Sequence, residues 1–329
     1  MKFLGHCDEV PQVPQMDIHH QWLSHQVLDS HPVRADADLM ERTQDQSPPG
    51  RRVWLVTGAG SGFGRAIAQA AIAAGDVVVA TARRRCALED LVAEHPDRVD
   101  AVQLDVTDAT RIDAVVDAAV ERHGRIDVLV NNAGRTHVGA VEETSDAELR
   151  SLLDVHLFGP AALVRAVLPH MRSRRSGTIV QISSMGGQLS FAGFSAYSAS
   201  KFALEGLSEA LADEVRPFGI TVLIVEPGSF RTGLFAHGSH SPTTETYSDS
   251  VGPTRDMVRT ADGTQPGDPA KAARVILAVL ESDDAPLRLP LGSDAVDAIA
   301  AHLDTIRTDL TAWEKIARDT AFGKTPSLR

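Results

Sequence analysis

From residue 53 onward, short unbroken apolar runs alternate with longer Ala-rich stretches whose apolar positions recur at helical spacing. The runs are Val53–Val56, Val77–Ala80, Val99–Leu104, Val128–Val130, Thr178–Ile182 and Thr221–Val225. Short runs rich in β-branched residues, apolar on both alternating faces, predict strands buried on both sides. Between them, 62–74, 109–123, 145–172 and 196–216 predict helices, with a further one at 270–281. Such alternation builds an α/β fold: a doubly wound parallel sheet with helices on both faces. Leu287-Arg288-Leu289-Pro290 adds a piece at the sheet side. A polar, Gly/Pro/Ser/Thr-rich stretch at 236–268 interrupts the order, and its length predicts a lid-like loop. Residues 293–320 predict one or two amphipathic helices, with Ile299, Leu303, Ile306, Leu310 and Trp313 on one stripe. That stripe is expected to pack as ordinary core or to cover the site.

Residues 1–52 follow no such pattern. They hold five of the 13 histidines (His6, His19, His20, His25, His31) and end near a Ser47-Pro48-Pro49-Gly50 stop. They read as a mobile extension or weakly helical arm, ahead of one domain over 53–329. His19, His20 and His25 could ligate a metal, but no Cys or carboxylate completes a ligand spacing, so no metal site is expected.

Composition narrows the function classes. Apolar residues are 43% of the 329 and aromatics 5%, so the core is aliphatic and sizeable. Net charge is −12, from 32 basic and 44 acidic residues, and no basic stripe is visible, which argues against nucleic acid. No run approaches 18 apolar residues, which argues against a membrane span. The start, MKFLGHCDEV, lacks the apolar segment of a secretory signal. Cys7 and Cys86, two distant thiols, suit a reducing compartment, so a cytoplasmic protein is expected.

The first strand runs into Thr57-Gly58-Ala59-Gly60-Ser61-Gly62-Phe63-Gly64, and then a helix. Glycines let the backbone approach a pyrophosphate, and a helix N-terminus offers N–H groups and a positive dipole end. The spacing does not fit G-x-G-x-x-G in any register, but it fits T-G-x-x-x-G-x-G. At the end of the second strand, near Ala82, no carboxylate is available for a ribose 2′-hydroxyl. Arg83, Arg84 and Arg85 follow, and guanidinium groups suit a 2′-phosphate, so NADP(H) is expected over NAD, with Arg83 as the main contact.

The chain has two tyrosines and five lysines, so about 3% is the chance that either tyrosine meets a lysine four residues on. Tyr197 and Lys201 have that spacing, which puts both on one helix face. Hydride transfer at a carbinol carbon needs a proton moved to or from the oxygen. Tyrosine titrates near 10, and a nearby ammonium can lower that by roughly 1–3 units. Lys201 is expected to supply that charge.

Over about residues 53–290 the chain resembles the short-chain dehydrogenase/reductase family, in its compact single-domain, Rossmann-type branch. The glycine motif, Leu104-Asp105-Val106, Asn131-Asn132-Ala133-Gly134, Tyr197-Ser198-Ala199-Ser200-Lys201 and Pro227-Gly228 carry the resemblance, in that order. It implies a cofactor site of Thr57, Gly58, Ser61, Gly62, Phe63 and Gly64, with Asp105 and Val106 at the adenine. It implies that Asn131, Asn132, Ala133 and Gly134 steady the central sheet and line the cofactor. Lys201 would also hold the nicotinamide ribose, Pro227 and Gly228 would pack near the ring, and Thr232 would bond its carboxamide. The family's active serine lies 13 positions before the tyrosine, which selects Ser184, with Ser183 as the alternative. His156, in Asp154-Val155-His156-Leu157-Phe158-Gly159, stands where the family carries an asparagine of the proton relay. An imidazole can relay protons near neutrality, so His156 is expected either to replace it or simply to pack there.

These features imply an oxidoreductase moving a hydride between NADP(H) and a secondary alcohol or ketone. Gly186, Gly187, Leu189, Phe191 and Phe194 would form an apolar wall for a fairly hydrophobic small-molecule substrate. The resemblance implies a homodimer or homotetramer through 145–172 and 196–216. The competing readings are a non-catalytic NADP-binding regulator on the same fold and a sugar-nucleotide epimerase or dehydratase. The latter shares Tyr-x-x-x-Lys, but the glycine spacing and the absence of a large C-terminal substrate domain disfavour it.

Overall fold

A computed structural model describes residues 50–322. The extension read over 1–52, with its candidate histidine ligands, therefore lies outside the described residues except for its last three positions. The β-branched runs form strands close to where the pattern puts them: β1 (Val53–Val56), β2 (Val77–Ala82), β3 (Val99–Gln103), β4 (Val128–Asn131), β6 (Gly177–Ile182), β7 (Ile220–Pro227) and β9 (Arg288–Leu291). They make one seven-stranded sheet in the order β3-β2-β1-β4-β6-β7-β9. Every pair in it is parallel. This is the expected doubly wound α/β, Rossmann-like architecture.

Strand alternation divides the core in two. Trp54, Val56, Val78, Ala80, Val128, Val130 and Leu223 face helices α1 (Gly62–Ala73) and α8 (Pro269–Leu280). Val53, Leu55, Val79, Leu129, Ile179 and Val222 face α3 (Ala109–His123), α5 (Gly159–Arg174) and α6 (Ser195–Val215). Helix α2 (Glu89–Glu94) fills the short step between β2 and β3. The chain leaves β1 towards β2 and β4 towards β6, so strand order reverses between β1 and β4. In such sheets a crevice opens at the carboxyl ends of those two strands, where ligands bind.

Four expectations change. The predicted helix 145–172 is α4 (Asp146–Leu153), one wide π turn over Asp154–Phe158, and α5. Its whole run, Asp146–Arg174, is long and apolar enough to span a membrane by length and composition, which a search for consecutive apolar residues does not register. Here Leu163, Val164, Val167 and Met171 pack into the sheet-facing core instead. The stretch 236–268 is not a bare loop. It holds β8 (Ser239–His240), paired in parallel with β5 (His137–Val138), and a helix, α7 (Ser248–Ala261). Val251 and Val258 of α7 join Val138 and Ala140 in a third apolar cluster, flanked by Phe194, Phe235 and Tyr247. Glu143 anchors the helix: its carboxylate accepts from Arg255 at 2.7 Å and from the Thr244 amide at 2.7 Å. Finally, 293–320 is one helix, α9 (Ser293–Arg318). Only the start of its stripe packs. Ile299 is buried, whereas Leu303, Ile306, Leu310 and Trp313 are about half or more exposed.

Candidate active site

The phosphate loop leaves β1 with Gly58 and Gly62 at φ of +65° and +56°, the left-handed region where a side chain is strained. At Gly64 a Cβ would lie 2.4 Å from Asn132 Nδ2 and 2.5 Å from the Gly58 carbonyl oxygen, so only glycine fits. Ser61 precedes α1 without capping it, and the first turn holds no acidic residue. The first-turn amides and positive dipole end therefore stay open towards an anion. Uncapped amides and glycines packed backbone to backbone fit the pyrophosphate of a dinucleotide.

Thr57 and Asn132 shape this crevice with their side chains. Thr57 Oγ1 donates to Val130 O at 3.1 Å and accepts from the amides of Asn132 and Ala133 at 2.9 and 3.0 Å. Asn132 Nδ2 donates back to Thr57 O at 2.8 Å. Both were expected to line the cofactor, yet their side-chain polar groups clamp the β1 loop to the β4 loop. Asn131 steadies the sheet as expected, donating to Gln181 Oε1 at 3.0 Å. Phe63 packs against Phe230 at 4.9 Å between ring centroids, and Thr232 lies against Gly62. The loop after β7 thus covers the phosphate loop. Asp294 of α9 holds it: its Oδ2 accepts from the Ser229 amide at 2.7 Å, and a Cβ at Gly228 would lie 2.3 Å from its Oδ1. Asp105 turns its Oδ1 to the Thr107 amide and hydroxyl, while Val106 is buried. Arg83 and Arg84 are exposed, with no side-chain partner among the described residues. Arg85 instead donates to Ala101 O at 3.2 Å.

The catalytic candidates meet where β6 ends against α6. Ser184 Oγ accepts from the Gly186 amide at 3.0 Å, and it and the Tyr197 ring lie together against Gly186. Ser183 Oγ is buried without a partner among the described residues and lies with Glu205 against Gly187. The two neighbouring serines are therefore separated by strand alternation, and Ser184 is the one at the phenol. Lys201 Nζ donates to Ile182 O at 2.9 Å and lies 5.9 Å from the Tyr197 ring centroid. Burial brings Lys201 down to about 8, against a smaller opposing pull from Glu205. Burial also pushes the Tyr197 phenol above its ordinary value, more than Ser184 lowers it. Lys201, expected to lower Tyr197, is not among the groups that shift the phenol here; burial sets the direction.

His156 sits on the π turn, in edge-to-face contact with Tyr197 at 5.6 Å. Ser200 Oγ donates to Tyr197 O at 2.6 Å, so its one proton is used, and His156 Nδ1 must donate to it across 2.7 Å. His156 Nε2 then accepts from the Arg135 amide at 3.2 Å. Both nitrogens are taken, and burial holds the imidazole well below its usual range, with Lys201 adding to the effect. These contacts hold His156 as a neutral imidazole with both ring nitrogens hydrogen-bonded.

Of the expected apolar wall, Gly186 lies against Tyr197, and the Phe194 ring centroid is 6.0 Å from that of Tyr197. Gly187 faces Ser183 and Glu205 instead, and Phe191 is exposed. An open concavity of about 770 Å³ between α2 and α3 shares no residue with these groups.

The sequence reading missed Ser200, Asp294 and a buried cluster of Gln188, Glu205, Glu226 and Arg288. Glu205 alone had a signal, since it lies one turn after Lys201.

Comparison with known proteins agrees with this geometry. The short chain dehydrogenase family model matches residues 52–242. An oxidoreductase from Botryotinia fuckeliana, BOA17, is 37% identical over 268 residues, covering 81% of this chain and 98% of that protein. A 3-ketodihydrosphingosine reductase from Bacteroides thetaiotaomicron is 40% identical over 202 residues, 60% of this chain and 72% of that protein. The crystal structure of a short-chain dehydrogenase from Streptomyces avermitilis is 61% identical, with a TM-score of 0.78 over 83% of this chain and 99% of that one. A Burkholderia phymatum relative, solved in complex with NAD, shares the fold at 24% identity and a TM-score of 0.68, covering 85% of this chain and 97% of that one. The chain belongs to the short-chain dehydrogenase/reductase family of oxidoreductases.

Proposed function

We propose that this protein is an NADP(H)-dependent reductase of a hydrophobic ketone, with the reverse oxidation of the secondary alcohol as its microscopic counterpart. The observation that carries the reading is the Ser184–Tyr197–Lys201 cluster at the carboxyl end of β6, beside the crevice between β1 and β4. The dinucleotide would lie on the open amides of α1, under the loop 228–232, and it supplies or accepts the hydride. Ser184 Oγ and the Tyr197 hydroxyl would hold the substrate oxygen between them. Burial keeps Tyr197 protonated at neutral pH, so it is ready to donate its proton as the carbonyl oxygen gains charge. Lys201, cationic below about 8, favours the phenolate left behind.

Two observations support the finer choices. Arg83 and Arg84, exposed and without protein partners among the described residues, support the preference for a 2′-phosphate. The cluster of Val138, Ala140, Val251 and Val258 packs against Phe194, whose ring lies 6.0 Å from that of Tyr197, and this supports an apolar substrate. The relative named as a 3-ketodihydrosphingosine reductase agrees with ketone reduction. We also infer a cytoplasmic homo-oligomer: Cys86 is a free, exposed thiol, and Phe158 and Phe202 are exposed on the helical segments that pair in the family.

The test is NADPH oxidation over a panel of hydrophobic ketones by the wild type, Tyr197→Phe and Ser184→Ala. Turnover by the wild type, with large losses in both variants, supports the reading. Tight NADPH binding without turnover on any ketone would overturn it in favour of the regulator.

A further inference from the structure

Behind Ser184 and Lys201 lies a buried acidic cluster that the proposed reaction does not use. Glu205 follows Lys201 by one turn of α6, and Glu226 is the penultimate residue of β7, directly before Pro227-Gly228. Both carboxylates are buried, at 4% and 1% exposure. They share their donors. Gln188 Nε2 lies 2.9 Å from Glu226 Oε1 and 3.4 Å from Glu205 Oε2. Arg288 Nε lies 3.1 Å from Glu205 Oε2 and 3.5 Å from Glu226 Oε1, and its Nη2 donates to Glu209 at 2.9 Å. Glu205 Oε1 is buried with no hydrogen-bond partner among the described residues, so the two carboxyl groups have fewer donors than acceptor atoms, and a proton kept on one of them would supply a donor.

We propose that Glu205 and Glu226 hold one shared proton and act as positioning residues, tying the charge on Lys201 to the loop that receives the nicotinamide. This inference rests on the assignment of Tyr197 and Lys201 as the proton-transfer groups. The charges around the cluster support it. The titratable or charged groups facing it are Lys201 and Glu209 from α6 and Arg288 from β9, with Gln188 and Ser183 as neutral neighbours. Glu209 is exposed and takes up one nitrogen of Arg288, so the two buried carboxylates crowd the remaining guanidinium nitrogen and Gln188, and one retained proton relieves their repulsion. Burial and the Glu205 charge push Glu226 up to about 7, as expected for like charges in one site. The pair touches the turn after Ser184 through Gln188, the catalytic helix through Glu205 and the cofactor loop through Glu226. It thus joins the three segments that carry the reaction.

The pair has a spectroscopic signature independent of turnover: the carbonyl stretch of a buried protonated carboxyl in infrared difference spectra. The wild type is expected to show it below neutrality and to lose it as pH rises through about 7. Glu226→Gln should abolish it while keeping the fold, because an amide can donate to Glu205 as the proton does. Arg288→Met should move the midpoint upward, since it removes the nearest cation. Glu205→Gln should move the alkaline limb of kcat/KM down by about one pH unit, because Lys201 loses the charge that favours its cation. A wild type without the band, or a midpoint unmoved in Arg288→Met, overturns the shared proton. An alkaline limb unmoved in an active Glu205→Gln overturns the link to Lys201. The band is read even on an enzyme that reduces nothing, so a failed ketone assay and a failed pair are told apart.

Discussion

The two ends of β1 and β6 meet the same crevice by opposite means. At the end of β1 the polar side chains of Thr57 and Asn132 are matched to backbone groups, and glycine leaves no room for anything else. At the end of β6 the buried groups are titratable, and burial shifts both Tyr197 and Lys201 from their ordinary values. One junction fixes shape and leaves amides open; the other stores charge and protons. Substitutions should therefore separate them, with binding and stability failing at the first and chemistry failing at the second.

The sharpest break is Tyr197→Phe. It removes the donated proton without a change of shape, so kcat for ketone reduction should fall by about 10²–10⁴. The NADPH dissociation constant and Tm should stay within about twofold and about one degree, respectively, as expected for a near-isosteric change. Gly64→Ala should do the reverse. Its Cβ meets backbone and Asn132 atoms, and such overpacking costs about 1–3 kcal/mol, seen as a lower Tm together with NADPH affinity weakened about tenfold or more. Arg83→Ala is the next step down, with NADPH binding weakened about tenfold, NADH binding unchanged and Tm unaffected. Equal losses for both dinucleotides would remove Arg83 from the 2′-phosphate site.

The pH responses sharpen the contrast further. Lys201 is cationic below about 8, so ketone reduction should hold steady through neutrality and decline as pH rises through that value. His156→Asn should leave that limb in place, because both imidazole nitrogens are committed to neutral hydrogen bonds. It should act on stability instead. His156 titrates lower in the folded chain than the ordinary imidazole value of 6.5, so the unfolded chain binds the extra proton as pH falls through that value. Stability is full above 6.5 and is lost below it, and Tm measured from pH 7 to pH 5 should fall less steeply in the asparagine variant.

The shape-fixing junction was the legible one. β-Branched runs become strands because both faces of a parallel sheet are covered, and Gly58, Gly62 and Gly64 are needed by local geometry that local sequence records. The Tyr197–Lys201 spacing was readable for the same reason, since one helix carries both. What was not legible comes from distant chain segments brought together by the sheet register. Glu205 and Glu226 meet only because β6 and β7 pair beside α6, and Asp294 reaches Gly228 only because β9 turns α9 back across the loop. Helix α7 escaped because Gly252 and Pro253 interrupt its pattern and only Val251 and Val258 anchor it. For α9 the periodicity gave the stripe correctly, but periodicity names a face without naming what covers it. His156 was read from its intrinsic titration range, whereas its neighbours Ser200 and Arg135 decide its state.

Transfer of deuterium from deuterated NADPH to the carbinol carbon of a hydrophobic ketone, followed by mass spectrometry, tests the reductase assignment most directly. The wild type should give a singly deuterated secondary alcohol, and Tyr197→Phe should give almost none while still binding NADPH. Equal label transfer by both proteins, or none by the wild type on any ketone with the cofactor bound, would contradict the assignment of Tyr197 as the proton donor in a hydride-transferring enzyme.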